Sequence, residues 1–102
     1  MTESDPVPGA GAAPSARRRV TIVNERGLHA RAAARFVALG EGIGAEVTVS
    51  ARGTTVSGRS IMGLMMLAAG TGTEIEIAAT GPQAEAAVAR LSAFVEAGFD
   101  EE

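Results

Sequence analysis

The chain has 102 residues, a formal net charge of −3 at pH 7, no cysteine and one histidine, His29. This length supports one small domain, and the missing cysteines exclude disulfides, thiol catalysis and cysteine-zinc sites. The acidic balance and the lack of Trp and Tyr argue against nucleic-acid or anionic-membrane binding, and apolar runs are too short to span a bilayer. We therefore expect a cytoplasmic domain without metal or cofactor.

Residues 1–16 are rich in proline, glycine and alanine, and this composition predicts a disordered leader. A signal peptide is not expected, because Arg17–Arg19 follow residues 1–16 instead of preceding them, and no continuous apolar stretch precedes a cleavage site. The folded domain is predicted over residues 17–102. Its first strand covers Val20–Val23 and stops at the turn Asn24–Gly27.

An alanine-rich helix is predicted over Leu28–Leu39, followed by a β-hairpin. The hairpin strands are Glu46–Ser50 and Thr54–Val56, and Arg52-Gly53 forms the tight turn between them. At helical spacing, one face of the helix carries the residues expected to be buried, which are Ala33, Phe36, Val37 and Gly40.

Two further helices and one strand complete the prediction. Ser60 precedes an apolar run, as an N-cap residue does, and the helix extends over Ile61–Ala69. The fourth strand is Glu74–Ile77. The last helix starts near Gly81-Pro82 and ends near Gly98, and its buried side is formed by Ala84, Ala87, Val88, Leu91 and Val95.

The resulting order, β-α-β-β-α-β-α, predicts an α+β fold. Four short strands and three helices suit a mostly antiparallel sheet with helices covering one face.

The informative segment for chemistry surrounds His29, where a turn meets the first helix. Amide groups at a helix N-terminus attract anions, and the helix dipole favours a neutral, nucleophilic imidazole there. Arg31 could offer a guanidinium to an incoming anion. Together these groups suit a phosphoryl acceptor. From the residues alone, a surface or capping histidine without a functional role is the favoured interpretation.

Other candidate residues also have two interpretations. Ser60 needs no role beyond capping. The methionines Met62, Met65 and Met66 either fill the core or contact partners, and we expect a split with Met62 pointing outward. The run Arg17–Arg19 is interpreted as a solvated flank of the first strand.

Two motifs carry a family resemblance. The segment Gly27–Arg31 resembles the active-site motif of HPr, the histidine phosphocarrier of the bacterial phosphoenolpyruvate-dependent phosphotransferase system. The segment Ser60–Met65 resembles the regulatory-serine region of that family, and over Ser60–Ala69 the chain also resembles nitrogen-related HPr proteins of alphaproteobacteria. The resemblance covers about residues 18–98 and implies the HPr-like open-faced sandwich, with three helices on one face of a four-stranded antiparallel sheet.

The resemblance implies a role for each matched position. His29 would accept a phosphoryl group on Nδ1 from enzyme I and pass it to a histidine of an EIIA-type protein, with Arg31 stabilising the group. An HPr kinase/phosphorylase would modify Ser60. The chain would be a monomeric carrier and a co-substrate of phosphotransferases, not an enzyme. Partner docking would involve Ile61, Met62, Leu64 and Met65.

One position departs from the family pattern. The family usually has proline directly after the active-site arginine, whereas this chain has Ala32. Alanine restores an amide donor and remains compatible with a helix, so the departure would affect transfer rate and not fold.

Other functions are less well supported by the sequence. The main alternative is a regulatory interaction domain of the same fold that signals through Ser60. A nucleic-acid-binding module lacks the expected charge and aromatics, and a hydrolase or metalloenzyme lacks the required motifs.

Overall fold

A computed structural model describes residues 15–100 of the chain. The predicted leader falls almost entirely on residues 1–14, which lie outside the described residues, as do residues 101–102. The first strand begins at Ala16, the final residue of that predicted leader.

The described residues form strands and helices in the predicted order, β-α-β-β-α-β-α. The elements are β1 (Ala16–Thr21), α1 (Ala30–Glu41), β2 (Glu46–Ala51), β3 (Thr54–Ser57), α2 (Ile61–Met66), β4 (Glu74–Thr80) and α3 (Ala84–Glu96).

The four strands form one sheet in the order β1-β4-β2-β3, and each neighbouring pair is antiparallel. Side chains alternate across the two central strands, so that Val47 and Val49 of β2 and Ile75 and Ile77 of β4 are buried. The helices pack over this buried side of the sheet, which confirms the predicted α+β sandwich.

The apolar faces of the two long helices match the sequence periodicity. On α1, Ala33, Phe36 and Val37 are buried, and Gly40 is half-buried. On α3 every residue predicted for the inner face is buried, namely Ala84, Ala87, Val88, Leu91 and Val95. A helical spacing of 3.6 residues therefore located the core side of both helices correctly.

The second helix is shorter than predicted. It ends at Met66 and not at Ala69, because Ala68 adopts a left-handed conformation with φ +52°. A left-handed residue cannot continue a right-handed helix, so the chain turns there toward the first helix. Alanine propensity favoured a longer helix, and local backbone geometry overrode it.

The C-terminal end of α3 lies near Gly98, as predicted. Gly98 (φ +73°) follows the C-cap residue Ala97, as a glycine after a helix commonly does. Phe99 then turns back into the core, where its ring lies edge-on to Phe94 at a centroid distance of 5.5 Å. Arg35 of α1 donates to the Phe99 carbonyl at 3.2 Å. This turn closes the core next to the first helix.

Within residues 15–100, none of the helices has the length and hydrophobicity needed to cross a membrane.

Candidate functional site

His29 is the N-cap residue of α1. Its backbone is extended (φ −82°, ψ −179°), and its carbonyl accepts the first helical hydrogen bond from the Ala33 amide at 2.8 Å. Its Nδ1 accepts a hydrogen bond from the Arg31 amide at 3.2 Å. The sequence prediction of a histidine at the turn–helix junction is confirmed, and the structure shows a capping contact that the sequence left open. The half-buried ring has Nδ1 directed at the helix terminus.

The N-terminus of α1 attracts anions, whereas the groove beside it is lined by side chains of both charges. The first turn of α1, fully described, reads Ala-Arg-Ala and carries no acidic side chain against the helix dipole. Arg31 is exposed and lines an open groove together with Arg26 and Arg35. The acidic residues Glu25, Glu96 and Asp100 line the same groove. An anion that reaches the terminus therefore meets backbone amides and one arginine on the same helical turn.

The loop before His29 touches the segment after α2 through its backbone. Gly27 has φ +68°, and a Cβ at that position would lie 2.6 Å from the Ala69 carbonyl oxygen and 2.7 Å from the Gly70 Cα. The Leu28 amide donates to the same Ala69 carbonyl at 2.9 Å. Only glycine fits this contact, because any side chain would meet backbone atoms.

A threonine that sequence analysis did not single out adds further support to this loop. The Thr71 hydroxyl donates to the carbonyls of Asn24 at 2.5 Å and of Glu25 at 3.1 Å. The Asn24 side chain in turn donates to the Gly27 carbonyl at 2.9 Å. The Thr71 contacts span more than 40 residues of sequence, so no local pattern could have revealed them.

Ser60 caps α2 as predicted. Its half-buried hydroxyl accepts a hydrogen bond from the Gly63 amide at 2.8 Å. A Cβ on Gly63 would lie 3.1 Å from both the Ser60 oxygen and the Val56 Cβ. The glycine therefore leaves room for the capping hydroxyl against the hairpin.

The exposed side of α2 differs from the predicted docking set at one position. Ile61, Met62 and Met65 are exposed, with Met62 at 70%, whereas Leu64 is fully buried. Leu64 lies one helical turn after the N-cap, on the side that faces the core, and so it is unavailable for docking.

The methionines are not divided between core and surface as expected. Met62, Met65 and Met66 are all exposed, the last at 76%. Leucines 64 and 67 fill the core beneath them. The exposed side chains Ile61, Met62, Met65 and Met66 are called the α2 face below.

Ala32, which replaces the usual proline of the resembled family, is buried in the first turns of α1. The helix runs through this position without a kink-forming residue. The departure is therefore compatible with the fold, as predicted.

A fold with one histidine at the N-terminus of its first helix, beside an exposed apolar helix face, corresponds to a class of small phosphoryl carriers. The family model of the PTS HPr component phosphorylation site matches residues 16–97. The chain belongs to the HPr family of phosphocarrier proteins of the phosphotransferase system.

Individual relatives agree with this assignment. Phosphocarrier protein NPr of Escherichia coli K12 is 40% identical over 87 residues, which cover 84% of this chain and 97% of the relative. Phosphocarrier protein HPr of Pseudomonas putida is 44% identical over 85 residues, covering 82% and 94%. The crystal structure of HPr-C-His from Thermoanaerobacter tengcongensis superposes with a TM-score of 0.80 at 33% identity, covering 85% of this chain and 98% of that one.

These similarities extend over the whole described domain. The chain is a phosphocarrier and, like the family, not a catalyst in itself. The predicted HPr-like sandwich is confirmed by the structure and by its solved relatives.

The Gly27 contact supplies a direct test of how the site is held. We expect Gly27→Ala to lower the free energy of unfolding by about 3 kcal/mol, because it combines backbone strain with a clash against backbone atoms. Gly70→Ala is the matched control, since a Cβ there meets nothing within 4 Å and no left-handed φ is required. Denaturant unfolding of both variants measures the difference, and equal stabilities would contradict the close contact.

Proposed function

We propose that this phosphocarrier accepts a phosphoryl group from enzyme I on Nδ1 of His29 and transfers it to a histidine of an EIIA-type protein. The observation that carries this proposal is the hydrogen bond from the Arg31 amide to His29 Nδ1 at 3.2 Å. A ring nitrogen that accepts a hydrogen bond carries a lone pair and no proton, so Nδ1 can act as the nucleophile.

The transfer follows from this geometry. The Nδ1 lone pair attacks phosphorus, the new P–N bond forms, and the bond to the donor residue of enzyme I breaks with its electron pair staying on that residue. In the free carrier the Arg31 amide donates to the imidazole ring. After transfer, this amide and the other first-turn amides of α1 donate to the phosphoryl oxygens. The helix terminus thus stabilises both the free and the charged carrier.

Arg31 completes the proposed site. Its side chain is exposed on the first turn of α1, two residues after His29. A guanidinium can bind two oxygens of one phosphoryl group through its planar set of donors. We assign Arg31 to stabilising charge on the phosphoryl oxygens during transfer.

The α2 face, next to this site, is the proposed docking surface for both partners in turn. The proposal is supported by the contact of α1 with α2 and by the hydrogen bond from the Leu28 amide to the Ala69 carbonyl just after α2. Methionine side chains adapt to differently shaped surfaces, which suits a carrier with two partners. We further propose that the chain acts as a monomer and as a co-substrate of phosphotransferases.

Ser60 is proposed as a regulatory phosphorylation site for an HPr kinase/phosphorylase. Its hydroxyl begins the helix that bears the docking surface, so a phosphate there would add about two negative charges beside that surface. The alternative, a domain that signals only through Ser60, would show no phosphate on His29. The relatives are named both NPr and HPr, and the proposal leaves sugar uptake and nitrogen regulation as alternative outputs.

The acceptor assignment is tested with two variants of His29. His29→Asn removes the imidazole but supplies a good N-cap, whereas His29→Ala removes both and is expected to lose about 1 kcal/mol of stability. Intact-protein mass after incubation with enzyme I and phosphoenolpyruvate should show one acid-labile phosphoryl group on the wild type and none on either variant. Acceptance by His29→Asn would remove His29 from the mechanism.

A second prediction concerns Arg31. Arg31→Ala is expected to slow phosphoryl acceptance by about one to two orders of magnitude, as loss of a charge-stabilising donor does. Arg31→Lys keeps the charge without the planar fork and should be intermediate. Rapid-quench transfer rates measure this order, with exposed Arg18 of β1 replaced by alanine as the control. An unchanged rate in Arg31→Ala would contradict the assignment.

The regulatory proposal separates charge from capping. Aspartate and asparagine both cap helices well, so Ser60→Asp and Ser60→Asn should melt close to the wild type. Only Ser60→Asp should weaken coupling to enzyme I, by about tenfold at low salt and less at high salt. Titration with enzyme I measures both. If Ser60→Asn weakened the coupling to enzyme I as much as Ser60→Asp, loss of the hydroxyl and not the added charge would be the cause.

A further inference from the structure

Arg52 connects the β2–β3 hairpin to the end of α2. It occupies the two-residue turn with Gly53, and both residues have positive φ, +49° and +85°. From this turn the Arg52 guanidinium donates to the carbonyl of Leu67 at 2.5 Å and reaches that of Ala68 at 3.4 Å. A surface hairpin thus holds the backbone of a different element.

The end of α2 requires such a partner. The last carbonyls of a helix have no intrahelical donor, and the helix dipole places partial negative charge on them. The last turn of α2, described in full, contains no basic residue of its own. Ala68, which follows the C-cap residue Leu67, has φ +52°, a conformation that is strained for alanine. Arg52 donates to the carbonyl of Leu67, just before this strained residue, and reaches the carbonyl of Ala68 itself.

The strained turn leads directly to the phosphoryl-acceptor loop. Ala69 follows Ala68, and its carbonyl accepts the Leu28 amide at 2.9 Å. Leu28 is the residue before His29. The path from Arg52 to the N-cap of α1 therefore consists of two hydrogen bonds and a short stretch of backbone whose conformation both bonds restrict.

We propose that Arg52 is a positioning residue for His29, acting through the Ala68 turn and the Ala69–Leu28 hydrogen bond. The functional consequence rests on the proposed acceptor role of His29. Arg52 donates to the Leu67 and Ala68 carbonyls, which are not among the groups assigned to the transfer step. Removing Arg52 leaves every group of the transfer step in place. It loosens the segment of residues 67–69, to which the His29 loop is hydrogen-bonded.

The first readout is structural and independent of phosphoryl transfer. In Arg52→Ala, hydrogen exchange of the Leu28 amide should accelerate at least about tenfold relative to that of Val49, which is buried in the central strand β2. The Nδ1 chemical shift of His29 should change in the same variant. Exchange of Val49 reports global opening, so the ratio separates local loosening from a general loss of stability.

The second readout is phosphoryl acceptance at saturating carrier concentration, where weakened docking no longer limits the rate. We expect Arg52→Ala to be slowed about tenfold, as a misplaced reacting group is. Arg52→Lys retains a cationic donor for one carbonyl and should recover part of both the rate and the Leu28 protection. It also keeps the test available if the alanine variant fails to fold. Arg18→Ala serves as the arginine-removal control and should match the wild type.

The proposal is overturned if Leu28 and Val49 exchange accelerate equally, or if Leu28 protection and the His29 signal remain unchanged. It is also overturned if lysine restores neither readout. A wild-type carrier that accepts no phosphoryl group would contradict the proposed function alone, since the exchange ratio would still decide whether Arg52 positions the loop.

Discussion

The contact between the His29 loop and the segment after α2 is the interaction on which the candidate site depends. Gly27 lies so close to the Ala69 carbonyl that a single added carbon would overlap it, and the Leu28 amide donates to the same oxygen. Thr71, in the same segment, donates to the carbonyls of Asn24 and Glu25 at the start of the loop. Because these are mostly backbone contacts, the position of the site depends on the backbone conformation of two chain segments and on few side chains.

The two candidate phosphorylation positions share one physical device. His29 and Ser60 are both N-cap residues whose side chains accept an amide of the first helical turn. A helix N-terminus stabilises negative charge, so a side chain that caps it already stands where a phosphoryl group is favoured. The capping and phosphoryl interpretations of these residues are therefore compatible, since the same amides serve both states.

The brevity of α2 explains how one short helix serves both core and surface. Leu64 and Leu67 enter the core, and the left-handed Ala68 ends the helix so that the chain can meet the His29 loop. The methionines remain exposed on the opposite side. An apolar exposed face of this kind on a small domain is typical of a surface that binds partners.

Local sequence patterns determined the element order, the inner faces of α1 and α3, the hairpin turn, and the N-cap at Ser60. These features depend on residues within a few positions of one another, where periodicity and capping chemistry act. The motif around His29 also identified the family. Tertiary structure alone decided the burial of Leu64, the inward turn of Phe99 and the hydrogen bonds of Arg52 and Thr71. Those outcomes depend on contacts between segments distant in sequence. No local pattern specifies which distant segment will pack against a given residue.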